Sequence, residues 1–382
     1  MKPQTILHIT PFFSPNIGGV ETHLADLISE LDKLGYRTVT LTYSPISTPD
    51  VSWKKEERVG HKAVIFRFSW LGFNLFHRFE KLPVLNFIYI TPYLLVRSIL
   101  WLIVHSNIKF KAVHSHGLNG AIIGIVLQKL FKIPRHIVSI YSTYDNVPTN
   151  NSFTKLMVHI LNSTDKVLTQ SRQSVSQLKV MGVGTEKLDL YRHWINLRQF
   201  KPLNKKKLRQ KMGVDEKFSI LFVGRMIPPK GALLLAKAAT SLSEINFLFV
   251  GNGSDYTTIK KMSETNRNIR LLGNVPYKNL HLYYNLADVF CIPSLYNEGW
   301  GRVIMEALAC GLPVVASNLG AITEVIDDSV ALIVSPKLEA ITESIKKLYV
   351  DHQLFENLRK NATKYAMTNF SAKSVRLITK YY

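Results

Sequence analysis

Cysteine is nearly missing: only Cys291 and Cys310 occur in 382 residues, each inside an apolar stretch. With neither in a metal-ligand spacing, a disulfide framework and a cysteine-based zinc site are both excluded, and a reducing cytoplasm is the expected compartment. Acidic side chains are scarce as well, since 27 Asp and Glu stand against 48 Lys and Arg for a formal net charge of +21. Such an excess favours an anionic partner: a phosphorylated ligand, a membrane surface or nucleic acid. It divides almost evenly at Ile195, 22 − 12 = +10 up to that residue and 26 − 15 = +11 beyond it, which rules out a single basic tail. No low-complexity tract or short repeat interrupts the chain. The opening MKPQTILHITPFF lacks a small-residue cleavage site and reads as a first strand rather than a signal peptide.

Long apolar runs are also few, and residues 84–104 (VLNFIYITPYLLVRSILWLIV) form the conspicuous one. The run is as long as a membrane span, yet Asn86, Pro92 and Arg97 interrupt it, and an arginine near mid-span counts against insertion. A helix buried against a sheet and a helix lying partly on a membrane surface both stay open. The preceding residues 66–81 (FRFSWLGFNLFHRFEK) interleave Phe and Trp with Arg67, His77, Arg78 and Lys81, a mixture suited to a headgroup layer. Peripheral contact with an anionic membrane is therefore expected.

The remaining chain alternates between two periods. Residues 6–10 are short and apolar; Leu24, Leu27, Ile28, Leu31 and Leu34 then recur at helical spacing before Gly35, and residues 38–43 resume as a β-branched strand. Strand-like runs at 112–116, 137–140 and 166–169 continue the rhythm. After a polar, basic lapse between Tyr191 and Lys211, a second series starts at Phe218, with strands SILFVG, NFLFVG, NIRLLG, VFCIP and PVVAS separated by helical stretches. Strands alternating with helices predict parallel sheets covered on both faces. With 46% hydrophobic residues and this length, two α/β domains are expected.

Ligands of such sheets bind beyond the carboxyl ends of the strands, so the loops after strands matter most. SPNIGGVE places Gly18 and Gly19 at a helix N-terminus, where backbone can approach an anion or simply turn. VGRMIPPKG places Arg225 just past a strand and Lys230 near the next helix start. Cations there are disfavoured by the helix dipole unless an anion balances both, although two solvated surface cations are the competing reading. PSLYNEGWGRVIMEALACGLPVVAS predicts a strand, a turn and then a helix over 302–309, because Val303, Ile304, Ala307 and Leu308 share a face and Gly311 and Pro313 end it. Glu298 falls in the turn and Glu306 inside the helix. Carboxylates accept hydrogen bonds from hydroxyls, so the two acids on either side of an anion pocket fit a ligand with hydroxyls, phosphates and hydroxyls in turn, a nucleotide sugar. The competing reading is one glutamate in a helix first turn and another on its polar face. A glycosidase acid–base pair fits poorly, because Arg225, Lys230 and helix ends lower carboxyl pKa values where one should be raised.

Taken together, the E-x7-E spacing of Glu298 and Glu306, GRMIPPKG, FSPNIGGVETHL and VHSHG resemble the retaining, metal-independent GT-B glycosyltransferases of family 4, from the first strand to about Pro336. The resemblance implies an α/β GT-B fold: two doubly wound Rossmann-like domains facing each other across a cleft. Residues 1–195 would form the acceptor side and 196–365 the donor side, with 366–382 a helix returning to the first domain. It implies that Arg225 and Lys230 hold a donor diphosphate and that Glu298, with the backbone of Gly299, Trp300 and Gly301, binds the sugar. Glu306 would grip the ribose, and Asn274 and Val275 would meet the base through the backbone. His116 would touch the sugar near the reaction centre while Gly18 and Gly19 close over the phosphates; a strand-end histidine satisfied in the core is the alternative. The donor implied is a UDP-, GDP- or ADP-sugar, with no cofactor and no metal, and the acceptor a glycan or a lipid-linked molecule. A sugar-nucleotide epimerase or phosphorylase of the same architecture, or a non-catalytic basic binding protein, are the alternatives; no nucleic-acid module is recognisable. The chain departs from the family where SIYSTYDN offers Tyr141, Tyr144 and Asp145, where GAITE keeps Gly320 and Glu324 but loses a second glycine, and where a glycine near Ala331 is missing.

Overall fold

A computed structural model describes residues 4–16, 18–48, 51–70, 82–142, 144 and 151–382. The chain forms two compact units, Met1–Arg192 with Ala372–Tyr382, and His193–Ser371. The long helix His352–Asn369 completes the second unit, so the chain re-enters the first at Ala372, past the expected residue 365.

The first unit is built on eight strands: β1 (Thr5–Ile9), β2 (Arg37–Tyr43), β3 (Glu56–Val59), β4 (Ala63–Phe68), β5 (Phe110–His116), β6 (Arg135–Ser139), β7 (Lys166–Thr169) and β8 (Leu188–Leu190). Their order is β3-β4-β2-β1-β5-β6-β7-β8. Every pairing is parallel except that of β3 with β4. The order reverses between β1 and β5, so the loops that follow these two strands, with Gly18 and Gly19 after one and His116 ending the other, flank the switch point of the sheet.

The second unit has six strands: β9 (Ser219–Val223), β10 (Asn246–Val250), β11 (Ile269–Gly273), β12 (Val289–Ile292), β13 (Val314–Ser317) and β14 (Ala331–Val334). They run parallel in the order β11-β10-β9-β12-β13-β14. Alternation along β9 and β10 feeds both sides of the sheet. Leu221, Val223, Leu248 and Val250 enter one apolar cluster, Ile220, Phe222, Phe247 and Phe249 the other. Full burial on both faces is why these segments read as continuous apolar runs. Here the reversal lies between β9 and β12, which brings the GRMIPPKG loop beside the loop that carries Glu298.

One expectation changes. Of the aromatic and basic stretch at 66–81, residues up to Phe68 belong to β4, and Arg67 is buried rather than displayed. Its guanidinium donates to Ser14 O at 2.6 Å, to Lys54 O at 3.1 Å and to Glu57 Oε2 at 2.7 Å, bracing the loop after β1. Residues 71–81, with His77, Arg78 and Lys81, lie outside the described residues. The apolar run forms the helix Pro83–Val104, which buries Ile90, Leu94, Trp101 and Leu102 in the first unit's core while Ile88, Val96, Leu100 and Val104 are exposed.

Candidate active site

In the second unit the two loops of the switch point are joined by backbone. Leu295 N donates to Pro229 O at 2.7 Å, and Gly231, in the left-handed region at φ 69°, sits so close to Pro293 that a Cβ would lie 2.0 Å from its carbonyl oxygen. Any side chain at 231 would wedge the loops apart. Their approach sets Lys230, the last residue of the 3-10 turn Pro228–Lys230, against Glu298. The ammonium donates to both carboxylate oxygens, at 2.7 and 2.9 Å. Ser294 Oγ donates to Oε1 at 2.6 Å and the Tyr296 hydroxyl to Oε2 at 2.8 Å. Lys230 also lies 5.0 Å from the centre of the Tyr296 ring, a cation–π contact. Burial, and then the charge of Glu298, push the Tyr296 hydroxyl well above its usual range, so it stays a donor.

Glu298 itself is only 5% exposed. Its carbonyl accepts from Ala321 N at 2.9 Å, and a Cβ on Gly320 would fall 2.5 Å from its backbone N and O. The glycine that GAITE retains is therefore the one pressed against Glu298. Arg225, just past β9, is exposed and near enough to lower the Tyr296 pKa through its charge.

Glu306 has separate partners. The helix Arg302–Ala309 starts after Gly301 in the left-handed conformation and carries the expected apolar face. Buried within it, the Glu306 carboxylate accepts from Arg302 Nε at 3.1 Å and from the Tyr284 hydroxyl at 3.0 Å. Arg302 also donates to the Tyr277 hydroxyl at 2.7 Å and lies 5.6 Å from that ring's centre. The two acids thus sit in distinct hydrogen-bond sets, which does not suit an acid–base couple. Trp300 turns its indole N–H to Met305 Sδ at 3.2 Å. Gly299 is half-buried, Asn274 exposed, and Val275 packs partly on the core just after β11.

In the first unit, Gly18 and Gly19 open the helix Gly19–Lys33, and a Cβ on Gly19 would meet nothing within 4 Å. A Cβ on Gly18 would fall 2.2 Å from Glu21 Oε2, so the backbone is open at Gly19 and covered by the Glu21 side chain at Gly18. His116 ends β5 and is buried. Its Nε2 and His8 Nδ1 are joined by a 3.0 Å hydrogen bond, and its Nδ1 and the Tyr141 hydroxyl by one of 2.7 Å. Burial, helped by the neighbouring histidines His8 and His23, pushes its pKa well below the ordinary value, so the ring is neutral. Both ring nitrogens have partners inside the unit. A hydrogen bond from His116 to a ligand therefore requires His8 or Tyr141 to give way. Of the residues marking the departure from the family pattern, Tyr141 holds His116, Tyr144 N donates to Gln177, and Asp145 lies outside the described residues.

Sequence reasoning missed Ser294, Tyr296, Tyr284 and Arg302. The i, i+4 spacing of Arg302 and Glu306 was a legible signal. Tyr284 carried none, because only the packing of the helix Tyr277–Tyr284 brings it to Glu306.

The description "Glycosyl transferases group 1" matches residues 204–365, and "Glycosyltransferase Family 4" matches residues 17–199. Between them they take in most of the chain. The chain belongs to the group 1 glycosyltransferases. Among curated relatives of this glycosyltransferase is the phosphatidylinositol N-acetylglucosaminyltransferase GPI3 subunit of Saccharomyces cerevisiae, 24% identical over 86% of this chain and 71% of the relative. A phosphatidylinositol N-acetylglucosaminyltransferase chain from Homo sapiens is 22% identical over 91% of this chain and 68% of the relative. Among solved structures, sucrose-phosphate synthase from Thermosynechococcus elongatus matches with a TM-score of 0.79 at 22% identity, covering 99% of this chain and 97% of that one. The Anabaena protein HepE in complex with UDP-glucose matches at 0.76 and 18%, covering 98% of each. These likenesses establish the GT-B fold.

Within the glycosyltransferase, Tyr296 is the removable part of the Lys230–Glu298 cluster. Tyr296→Phe keeps the ring beneath Lys230 and deletes one donor to a buried carboxylate. A loss of about 1 kcal/mol in urea unfolding of the second unit is expected; an unchanged midpoint would show that Tyr296 adds nothing to the pair.

Proposed function

We propose that this glycosyltransferase moves a hexosyl unit from a nucleoside-diphosphate sugar to a glycan or lipid-linked acceptor, retaining the anomeric configuration and using no metal or other cofactor, at the cytoplasmic face of a membrane. The observation that carries the reading is the Lys230–Glu298 pair at the switch point of the second sheet, with Arg225 beside it. A diphosphate arriving at these loops meets an ammonium and a guanidinium, the charge stabilisation that a divalent ion provides elsewhere. Drawing Lys230 onto the phosphate releases the Glu298 carboxylate to accept from sugar hydroxyls, with the Gly299, Trp300 and Gly301 backbone behind it. Glu306, held by Arg302 and Tyr284, then takes the ribose hydroxyls, and Asn274 and Val275 border the base. In the first unit, the neutral His116 and the backbone of Gly18 and Gly19 are the residues assigned to the donor.

In the reaction proposed, the bond from the anomeric carbon to the β-phosphate oxygen breaks and its electron pair stays on that oxygen. The acceptor hydroxyl attacks from the same face, and its proton passes to the leaving phosphate. No protein base is needed. The solved structure of HepE with UDP-glucose supports the donor class, and the two phosphatidylinositol transferases support a lipid-linked acceptor.

A thermal-shift panel of UDP-, GDP- and ADP-sugars tests the reading. A ligand at 100 times its Kd stabilises the folded state by about 2.7 kcal/mol. At least one of these donors is expected to raise Tm in the wild type and to lose that effect in Lys230→Ala. No shift from any of them would defeat the assignment.

A further inference from the structure

The helix Pro83–Val104 packs one face on the first sheet, yet its opposite face is apolar as well. Leu85, Ile88, Pro92, Val96, Leu100 and Ile103 follow one another at steps of three or four residues, and all are exposed. The stripe spans about 27 Å at 1.5 Å per residue. Ile88 is 59% exposed and Val104, at the end of the helix, 77%. The buried face, with Ile90, Leu94, Trp101 and Leu102, lies on the other side. Exposed apolar patches of this extent mark an interaction surface.

Charge identifies what the surface meets. From residue 82 to residue 144 the sequence contains no Asp or Glu, while it contains Lys109, Lys111, Lys129, Lys132 and Arg135, all exposed. The topology gathers these cations. Lys109 and Lys111 sit at the amino end of β5, directly after the apolar helix. Lys129, Lys132 and Arg135 sit at the amino end of β6, directly after the neighbouring helix Gly117–Leu130. Since β5 and β6 are adjacent and parallel, all five lie at one end of the stripe, with the exposed Leu130 among them. Asp165 is the carboxylate nearest this margin, accepting from Gln128 Nε2 at 3.0 Å and from His136 N at 2.6 Å, and five cations outweigh it. An apolar strip with a net cationic margin matches the acyl region and anionic headgroups of a lipid leaflet.

We propose that this helix is a docking surface for an anionic bilayer, lying in the plane of the membrane with its exposed stripe among the upper acyl chains. It does not span. Spanning would strip Ile90, Leu94, Trp101 and Leu102 from the core of the first unit. Arg97, whose guanidinium lies 5.0 Å from the Phe68 ring centre and 5.8 Å from that of Tyr93, stays on the protein side of the helix. The proposal deepens the lipid-linked reading of the acceptor by naming the surface that would bring the chain to it.

Flotation of the full chain with phosphatidylcholine vesicles, with and without phosphatidylglycerol, tests it. The wild type is expected to float with the anionic vesicles, less so as salt rises. Ile88→Gln/Val96→Gln/Leu100→Gln removes apolar groups that face away from the core and should weaken binding on the order of 100-fold. Lys129→Ser/Lys132→Ser should cost the preference for phosphatidylglycerol while leaving the residual affinity for neutral vesicles. If the triple variant does not fold, Ile88→Gln alone is expected to lower partitioning about fivefold. Wild-type protein that stays at the bottom at low salt, or a folded triple variant that floats like wild type, overturns the proposal. So does a wild-type dimer in light scattering that the triple variant dissolves, because the stripe then belongs to a second copy. Donor-induced thermal shifts in the same variants keep the outcomes apart, since they report the second unit whether or not the helix binds lipid.

Discussion

Lys230→Ala is expected to lower glycosyl transfer by about 10²–10³-fold while the protein stays folded. The reason lies in where the ammonium already is. Lys230 reaches both oxygens of Glu298 from a turn that Gly231 and the Pro229–Leu295 backbone bond lock to the neighbouring loop. Such a group needs no reorganisation to meet charge that develops on a departing diphosphate, and preorganisation of this kind is where electrostatic catalysis gets its size. The variant also leaves Glu298 buried with only Ser294 and Tyr296 to satisfy it. Apparent donor affinity should therefore fall as well, because an unbalanced carboxylate would then face the phosphates. Initial rates against a saturating donor, with circular dichroism as a check on folding, decide the matter. Turnover within a few-fold of wild type would remove Lys230 from the diphosphate site.

Acid should unfold the first unit earlier than its carboxylates alone would dictate. His8, His114, His116 and His136 are all buried there, and burial is the leading cause of the downward shift in each. His8 is held at about 3 and His136 at about 4, while His114 and His116 lie well below the ordinary value. In the unfolded chain each returns to about 6.5. The unfolded state therefore binds more protons wherever the pH is below 6.5 and above the folded values. Stability is complete above that upper limit and falls as pH drops through it, by about 1.4 kcal/mol per pH unit for each histidine, or on the order of 5 kcal/mol per unit for four together. Urea unfolding at intervals from pH 7.5 to 5 measures the slope. His8→Asn should flatten it by the share of one residue. A stability unchanged down to pH 5 would mean that these rings are protonated within the folded unit.

The network behind that second expectation is also what the sequence left out of sight. VHSHG showed a strand ending in two histidines, and the role implied for His116 was contact with a ligand. Only the pairing of β1 with β5 brings His8 to it, and only the fold of the following segment brings Tyr141. A similar gap separates Arg67 as a surface cation beside aromatics from Arg67 as the buried brace of the loop after β1. Nothing local in FRFSW reveals that three carbonyl and carboxylate partners wait in Ser14, Lys54 and Glu57.

Local chemistry determined a good deal by itself. Period-two and period-3.6 patterning placed the strands and helices of two α/β units, including the helix Arg302–Ala309, and the two cations of VGRMIPPKG beside a helix start pointed to an anion. These are properties of neighbouring residues, which share one backbone and need no distant partner. Tertiary structure alone decided which charges meet. Lys230 and Glu298 are far apart in the chain and touch because the sheet order reverses between β9 and β12. Tyr284 satisfies Glu306 because two helices pack, and the apolar run at 84–104 keeps one face for the core and presents the other because the sheet can cover only one side of a helix.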